Sequence, residues 1–277
     1  MTSQKRLLAV FAHPDDETFG AGSTLARYAS EGVDITVVCA TRGEAGEIAP
    51  GSDATSEILG DVREAELRSA LKILGVQSLI LLGYRDSGMA GSEDNKSPLA
   101  FINAPISEVV RRLVGLIREY RPHVVITMDL KGGYGHPDHI RVTEVTTQAF
   151  REAVDPSVLS EGLAGPWIPG KLYYHVFPRS MMVRWFRYIK ETDPSNDMAQ
   201  LDPSTVGTPD EEITSVLDVS PYVELRISAA QSHRSQRSPF DMLPRELVLD
   251  ALGKDFWVRA EPPWDGSAVE TDLFAGL

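Results

Sequence analysis

The sequence predicts an α/β protein with a Rossmann-like, mostly parallel sheet flanked by helices, and three observations carry that prediction. Short uninterrupted apolar runs recur at residues 7–12, 35–39, 79–82 and 124–128, the pattern of strands buried on both faces. Stretches of helical composition separate them, as right-handed βαβ units require. The first and fourth runs each lead into a cluster of histidines and acids, and open parallel sheets collect ligands just beyond the carboxyl ends of their strands.

In chain order, the run at 7–12 is the first strand, and residues 21–30 have the composition of a short helix. There Leu25, Tyr28 and Ala29 share a face and Gly32 is placed to end it. The β-branched run at 35–39 is the second strand. Residues 41–60, with four glycines, Pro50 and several acids, form a long loop at the same sheet edge as His13. Asp61 and Glu64 have capping-box spacing, and Ala65, Leu67, Leu71 and Leu74 carry a helix to Gly75. After the strand at 79–82 comes a polar loop at 83–105. From Ile106, the positions Val109, Val110, Leu113, Leu116 and Ile117 recur at helical spacing until Arg121 and Pro122 stop them. The fourth strand at 124–128 is followed by a glycine-rich turn at 131–135 and a helix at 140–153.

Beyond Pro156 the pattern weakens. Residues 171–177 read as a fifth strand, 193–212 as a surface excursion, 222–232 as a helix and 256–259 as an edge strand. The whole chain, 1–277, reads as one domain, with a catalytic core over 1–155 and a C-terminal extension over 156–277 that shapes the pocket.

A formal net charge of -13 and the lack of a basic cluster argue against a nucleic-acid partner. The only cysteine, Cys39, lies inside an apolar run and packs as a small hydrophobe. No segment reaches the roughly 18 apolar residues of a membrane span, so a cytoplasmic protein with no membrane partner is expected. A homo-oligomer is compatible with the sequence.

The chemistry is expected at two strand ends. His13 and His139 supply imidazoles, and Asp15 or Asp16 supplies a carboxylate. Two histidines and one carboxylate with open positions suit a catalytic Zn2+, and the same set suits Fe2+. In His13-Pro14-Asp15-Asp16 an imidazole and a carboxylate three positions apart can fold onto one ion, which leaves Asp15 free to act as a base. In the second cluster His136 and His139 are likewise three apart, with Asp138 available to orient a ring N–H. The isolated His123, His175 and His233 are expected to be packed or solvated.

Four motifs in order, AHPDDE at 12–17, TRGEAGE at 41–47, YRDSGMAG at 84–91 and GGYGHPDH at 132–139, resemble the LmbE-like, or PIG-L, family of zinc-dependent N-acetylglucosaminyl deacetylases. The likeness is strongest to the branch holding the mycothiol-biosynthesis deacetylase and the mycothiol S-conjugate amidase. It implies metal ligands at His13, Asp16 and His139 and a general base at Asp15. It further implies an intermediate-stabilising histidine at His136 oriented by Asp138, an oxyanion-binding Tyr134, and sugar contacts from Arg63 and Asp86. For Arg63 the alternative is a solvated helix charge, and for Asp86 a turn-forming residue; Arg42 and Glu44 are placed equally by structure or function.

The resulting expectation is a metal-dependent hydrolase that releases acetate and a free amine from a small-molecule amino sugar. The alternatives are an amidase for thiol conjugates of a glucosaminyl-inositol, a non-catalytic nucleotide-binding module, and a protein that keeps a metal without turnover. Against nucleotide binding, no G-x-G-x-x-G lies at the first strand-to-helix turn, where Asp15, Asp16 and Glu17 would repel a pyrophosphate.

Overall fold

The computed structural model describes residues 4–158, 164–195, 206–266 and 268–277. Its elements in chain order are β1 (Arg6–Phe11), α1 (Asp16–Ser30), β2 (Asp34–Cys39), α2 (Leu59–Ile73), β3 (Ser78–Leu81), α3 (Ile106–Tyr120) and β4 (Val124–Thr127). They continue with α4 (Pro137–Glu152), β5 (Lys171–Val176), α5 (Arg179–Thr192), β6 (Ser215–Asp218), α6 (Val223–Ala230), α7 (Arg245–Leu252) and β7 (Lys254–Glu261). The seven strands form one sheet in the order β3-β2-β1-β4-β5-β7-β6. The first five are parallel, and β7 runs antiparallel to both β5 and β6.

Because successive side chains of a strand point to opposite faces, the apolar run of β1 feeds two cores. Leu7, Ala9 and Phe11 pack with Leu25 and Tyr28 of α1 and Leu67 and Leu71 of α2. Leu8 and Val10 pack with Val109 and Leu113 of α3 and Val142 and Val145 of α4. A third cluster joins Trp185 and Phe186 of α5, Val223 of α6 and Val248 and Leu252 of α7. Helix α3 ends as its sequence implies, at Arg121 in the left-handed conformation with φ 50°, ahead of Pro122.

Four expectations need correction. Helix α1 begins at Asp16 rather than near residue 21, so Gly20 and Gly22 lie inside it. Gly22 costs about 1 kcal/mol of helix propensity relative to alanine, but a Cβ there would lie 2.9 Å from the Arg226 side chain, so glycine admits that arginine. Helix α2 starts at Leu59, a turn earlier than expected, and Asp61 pairs with Arg42 instead of capping. Likewise α4 starts at Pro137, with His136 as its N-cap accepting from the Asp138 N–H. Finally, β7 is interior, because β6, which the sequence reading missed along with α5 and α7, covers its outer side. Residues 196–205 of the expected surface excursion lie outside the described residues.

One buried ion pair ties the last third of the chain to α1. Arg226 of α6 and Asp255 of β7, 1% and 2% exposed, meet at 2.8 Å. Arg226 also donates to the carbonyls of Thr18, at 2.9 Å, Phe19 and Gly20 in the first turns of α1. Asp255 accepts from the Thr24 N–H and hydroxyl at 3.0 and 2.6 Å. Among the described residues no helix is long and apolar enough to cross a membrane.

Removing one member of a buried pair leaves the other charge uncompensated. Arg226→Ala should therefore destabilise the fold by about 3–5 kcal/mol in urea denaturation. A change below about 1 kcal/mol would show that the pair is dispensable.

Candidate active site

In the strand order, β1 and β4 are neighbours whose connections leave in opposite directions, β1 through α1 to β2 and β4 through α4 to β5. This is the point in an open parallel sheet where loops separate and a crevice opens. His13 lies just past the end of β1, His136 and His139 lie at the start of α4, and the loop after β3 brings Asp86 and Ser87 alongside. His13, Asp16, Arg63, Asp86, His136, Asp138 and His139 are all buried, whereas Tyr134 is 69% exposed.

The structure brings His13, Asp16 and His139 together. His13 Nδ1 lies 3.1 Å from His139 Nε2, Asp16 Oδ1 lies 3.3 Å from His139 Nε2, and Asp16 Oδ2 lies 3.6 Å from His13 Nδ1. Donors about 2.0–2.1 Å from a tetrahedral zinc would be about 3.3 Å apart, close to the His13–His139 and Asp16 Oδ1–His139 separations, while Asp16 Oδ2 accepts the His13 backbone N–H at 2.8 Å. The outer ring atoms agree. His139 Nδ1 faces the Gly132 carbonyl at 3.2 Å, and only an N–H can do so. His13 Nε2 faces Asp138 Oδ2 at 3.2 Å and Asp86 Oδ1 at 3.5 Å, again the place of an N–H. In the neutral tautomers the two inner nitrogens then turn lone pairs toward each other at 3.1 Å, which requires a cation or a proton between them.

The charges tell the same story. Burial disfavours a charged His13, but hydrogen bonds to Asp138, Asp16 and Asp86 outweigh it and hold the imidazole well above its ordinary pKa. Burial likewise opposes ionisation of Asp16, yet His139 and His13 keep its carboxyl well below the usual range.

His13, His136 and His139 also bring ligand-type atoms within 4.8 Å of one another, as do His13, Asp86 and Asp138. His136 Nδ1 accepts the Asp138 N–H at 3.2 Å, so its neutral ring carries the proton on Nε2 and offers a donor rather than a ligand. Burial, followed by the nearby His13 and His139, lowers its pKa to about 4, which favours that neutral form. Asp86 and Asp138 face the outer nitrogen of His13 rather than the inner one.

Asp15 stands beside this cluster with φ at 110° and ψ at -30°. For a residue with a Cβ this is strained backbone, costing on the order of 1–3 kcal/mol. Burial raises its pKa to about 6 against the pull of Arg63, with Asp16 adding to the rise. Arg63 donates to Asp15 Oδ2 at 3.0 Å, to the Pro14 carbonyl at 2.6 Å and to the Gly43 carbonyl at 2.9 Å. A Cβ at Gly43, whose φ is 67°, would collide with the guanidinium at 2.1 Å. Arg63 is thus a buried clamp on the turn that carries Asp15, and the solvated-charge alternative is set aside.

Asp86 accepts from the Gly88 N–H at 2.8 Å, an Asx turn, while lying against His13. Its pKa is lowered: burial opposes this, but hydrogen bonding and charge from His13 outweigh it. Glu44 Oε2 accepts the Asp86 N–H at 3.1 Å, and Arg42 pairs with Glu44 and Asp61, both structural roles. The Tyr134 ring lies 5.3 Å from that of His139, at the mouth of the site.

Sequence reasoning missed three supports. Ser87 donates its N–H to Asp138 Oδ2 at 2.9 Å and its hydroxyl to Asp138 Oδ1. Glu17, 1% exposed, accepts the Asp15 N–H at 2.9 Å. His233, expected to be only packed or solvated, is buried and lies 3.0 Å from Glu17 Oε1. Glu17 and Ser87 lie inside motifs already noted; nothing local in the sequence marks His233.

The chain is an α/β protein with a Rossmann-like sheet whose switch point gathers buried imidazoles and carboxylates that could hold a metal ion. Residues 8–150 match the family model for GlcNAc-PI de-N-acetylase, PIG-L, and the chain belongs to that family. It is 42% identical over 292 residues to a 1D-myo-inositol 2-acetamido-2-deoxy-alpha-D-glucopyranoside deacetylase of Rhodococcus erythropolis, covering 99% of this chain and 98% of that protein. To the protein of the same name from Geodermatophilus obscurus it is 38% identical over 294 residues, covering 100% and 99%. The N,N'-diacetylchitobiose deacetylase of Pyrococcus horikoshii has the same fold, with a TM-score of 0.65 at 20% identity over 93% of this chain and 84% of that one.

If His13, Asp16 and His139 are the donors, Asp16→Ala should reduce zinc bound after dialysis, measured by elemental analysis, to a small fraction of one ion per chain. His136→Ala should keep a full equivalent. Loss of metal on changing His136 alone would instead select the three-histidine set.

Proposed function

We propose that this protein is a zinc-dependent N-deacetylase acting on an N-acetylglucosaminyl inositol, releasing acetate and the free amino sugar. The observation that carries the reading is the convergence of His13 Nδ1, His139 Nε2 and Asp16 with the pKa-raised carboxyl of Asp15 beside them. The substrate class rests on full-length likeness to deacetylases of that compound. Residues 1–277 act as one catalytic unit, in a cytoplasmic setting that a single free Cys39 suits.

His13, Asp16 and His139 would hold the ion. When bound, zinc supplies Lewis acidity that lowers the pKa of a water from 15.7 toward about 7 and polarises a carbonyl. Asp15 accepts the proton of the water as its oxygen adds to the amide carbon, a task suited to a carboxyl raised to about 6. Arg63 keeps that carboxylate aimed. His136, with its proton on Nε2, donates to the developing oxyanion, and Tyr134 at the mouth adds a second donor. Asp138, held by Ser87, fixes the His13 ring with its carboxylate, and orients His136, the partner the resemblance implies for it, through its backbone N–H instead. The carboxyl of Asp15 then returns its proton to the departing nitrogen as the C–N bond breaks, leaving acetate and an amine. The resemblance assigns sugar hydroxyls to Arg63 and Asp86, but the Arg63 guanidinium is taken up by Asp15 and two carbonyls, so Asp86 is the one kept for that role, and the segment after residue 155 shapes the pocket around it.

The test is acetate release from N-acetylglucosaminyl inositol by the zinc-loaded protein. Asp15→Asn should retain zinc and lower kcat by about 10²- to 10⁴-fold. An Asp15→Asn protein with undiminished kcat would remove Asp15 from the base role, and a wild-type protein releasing no acetate would remove the deacetylase reading.

A further inference from the structure

Asp15 is held in a backbone conformation it would not choose, so something in the surrounding structure must determine it. Its carbonyl accepts from the Thr18 and Phe19 N–H groups at 3.0 and 2.8 Å, as the start of α1 requires. Its own N–H has a different partner, Oε2 of Glu17 at 2.9 Å. Glu17 has only 1% of its surface exposed, and a buried polar group needs its other oxygen satisfied as well. That oxygen accepts from the Thr18 hydroxyl and from His233 Nε2 at 3.0 Å. His233 is itself 2% exposed, and its ring packs edge-on against Phe19 at 5.8 Å.

His233 sits at the exit of α6, where its N–H donates to the Ala230 carbonyl at 3.1 Å. Ser235, two residues on, is tied to Glu66 of α2 through its N–H and hydroxyl at 2.8 and 2.6 Å. Its carbonyl accepts the Ala49 N–H at 2.8 Å. The segment that presents His233 is therefore fixed independently of Glu17, which is what a positioning group needs.

We infer that His233 and Glu17 form a positioning relay for the proposed reaction, the His233 Nε2–H orienting the Glu17 carboxylate so that it holds the Asp15 N–H, and with it the Asp15 side chain, in the reactive geometry. The inference rests on the deacetylase reading for its kinetic test and on geometry alone for its structural one. Misplacing a reacting group by about 1 Å can cost on the order of 10²-fold in rate.

Two replacements of similar bulk separate the hydrogen bond from packing. His233→Leu removes the donor, while His233→Gln places an amide N–H where Nε2 stood. Zinc-loaded His233→Leu should show kcat lowered about 10- to 100-fold with KM within about threefold and zinc content unchanged. His233→Gln should recover most of the lost kcat. Equal kcat in the two variants, whether intact or impaired, overturns the relay, as does a loss that follows zinc content. Should His233→Leu not fold, Glu17→Ala replaces it, with the same expected kcat loss at unchanged zinc and an unimpaired kcat overturning the relay. Crystal structures supply an arm independent of turnover: without the donor, Asp15 should leave the φ region near 110° or lose its bond to Glu17. If both persist in the folded donorless variant, the relay is overturned even where the wild type releases no acetate and the deacetylase reading has itself failed.

Discussion

The parallel pairing of β1 with β4, Leu7 against Val124 through Ala9 against Ile126, is the constraint on which the site depends. It sets the ends of two strands side by side although they are more than a hundred residues apart in the chain. The crossovers leave to opposite sides, so the backbone itself does not fill the space between them. Into that space β1 sends His13 and β4 sends the turn that starts α4. The 3.1 Å approach of His13 to His139 follows from the register of two strands rather than from any loop that folds onto itself.

Electrostatics completes what topology begins. Asp16, Asp86 and Asp138 all lie within 3.6 Å of a ring nitrogen of His13, and Asp15 lies next to them. The guanidinium of Arg63 is committed to Asp15 and two carbonyls. Buried carboxylates in such number need more positive charge than one arginine supplies. The need is met by drawing protons onto His13 or by a divalent cation, and the two demands are made at the same atoms. A cluster that draws a proton in order to stay neutral could hold a metal at the same atoms.

Much of this was legible in the sequence, and what was not has physical reasons. β1, β2 and β4 were visible because both of their faces are buried, so each is largely an apolar run, whereas β5 is buried but carries Lys171 and His175 and reads less clearly. The imidazoles and acids stood out because they interrupt those runs. The start of α1 was hidden because Gly20 and Gly22 lower local helix propensity, and the reason for Gly22 is the side chain of Arg226, two hundred residues away. The sugar contact expected of Arg63 had a surface charge as its alternative, because Glu64 and Glu66 flank it; the helix instead turns it inward onto Asp15. β7 looked like an edge because Lys254, Asp255, Arg259 and Glu261 give it a polar pattern. One of those charges, Asp255, is neutralised within the core by Arg226, and such long-range pairing leaves no local trace.

Those long-range pairs suggest a division of labour between the two parts of the chain. The proposed ligands, base and oxyanion donors all come from residues 13–139, within the stretch that the family model matches. What the later segment adds is restraint. Arg226 grips three successive carbonyls at the start of α1, and His233 reaches Glu17, the residue just before them. Helix α1 begins at Asp16 with Asp15 as its N-cap, so its position and its phase set where both carboxylates stand relative to His13 and His139. A helix packed on apolar contacts alone could slide by a fraction of an ångström at little cost, because dispersion is weakly directional. Charged hydrogen bonds to its terminal carbonyls are directional and short, and they oppose that sliding along the axis on which the base would move. The strained φ of Asp15 is stable only while α1 stays where those bonds hold it.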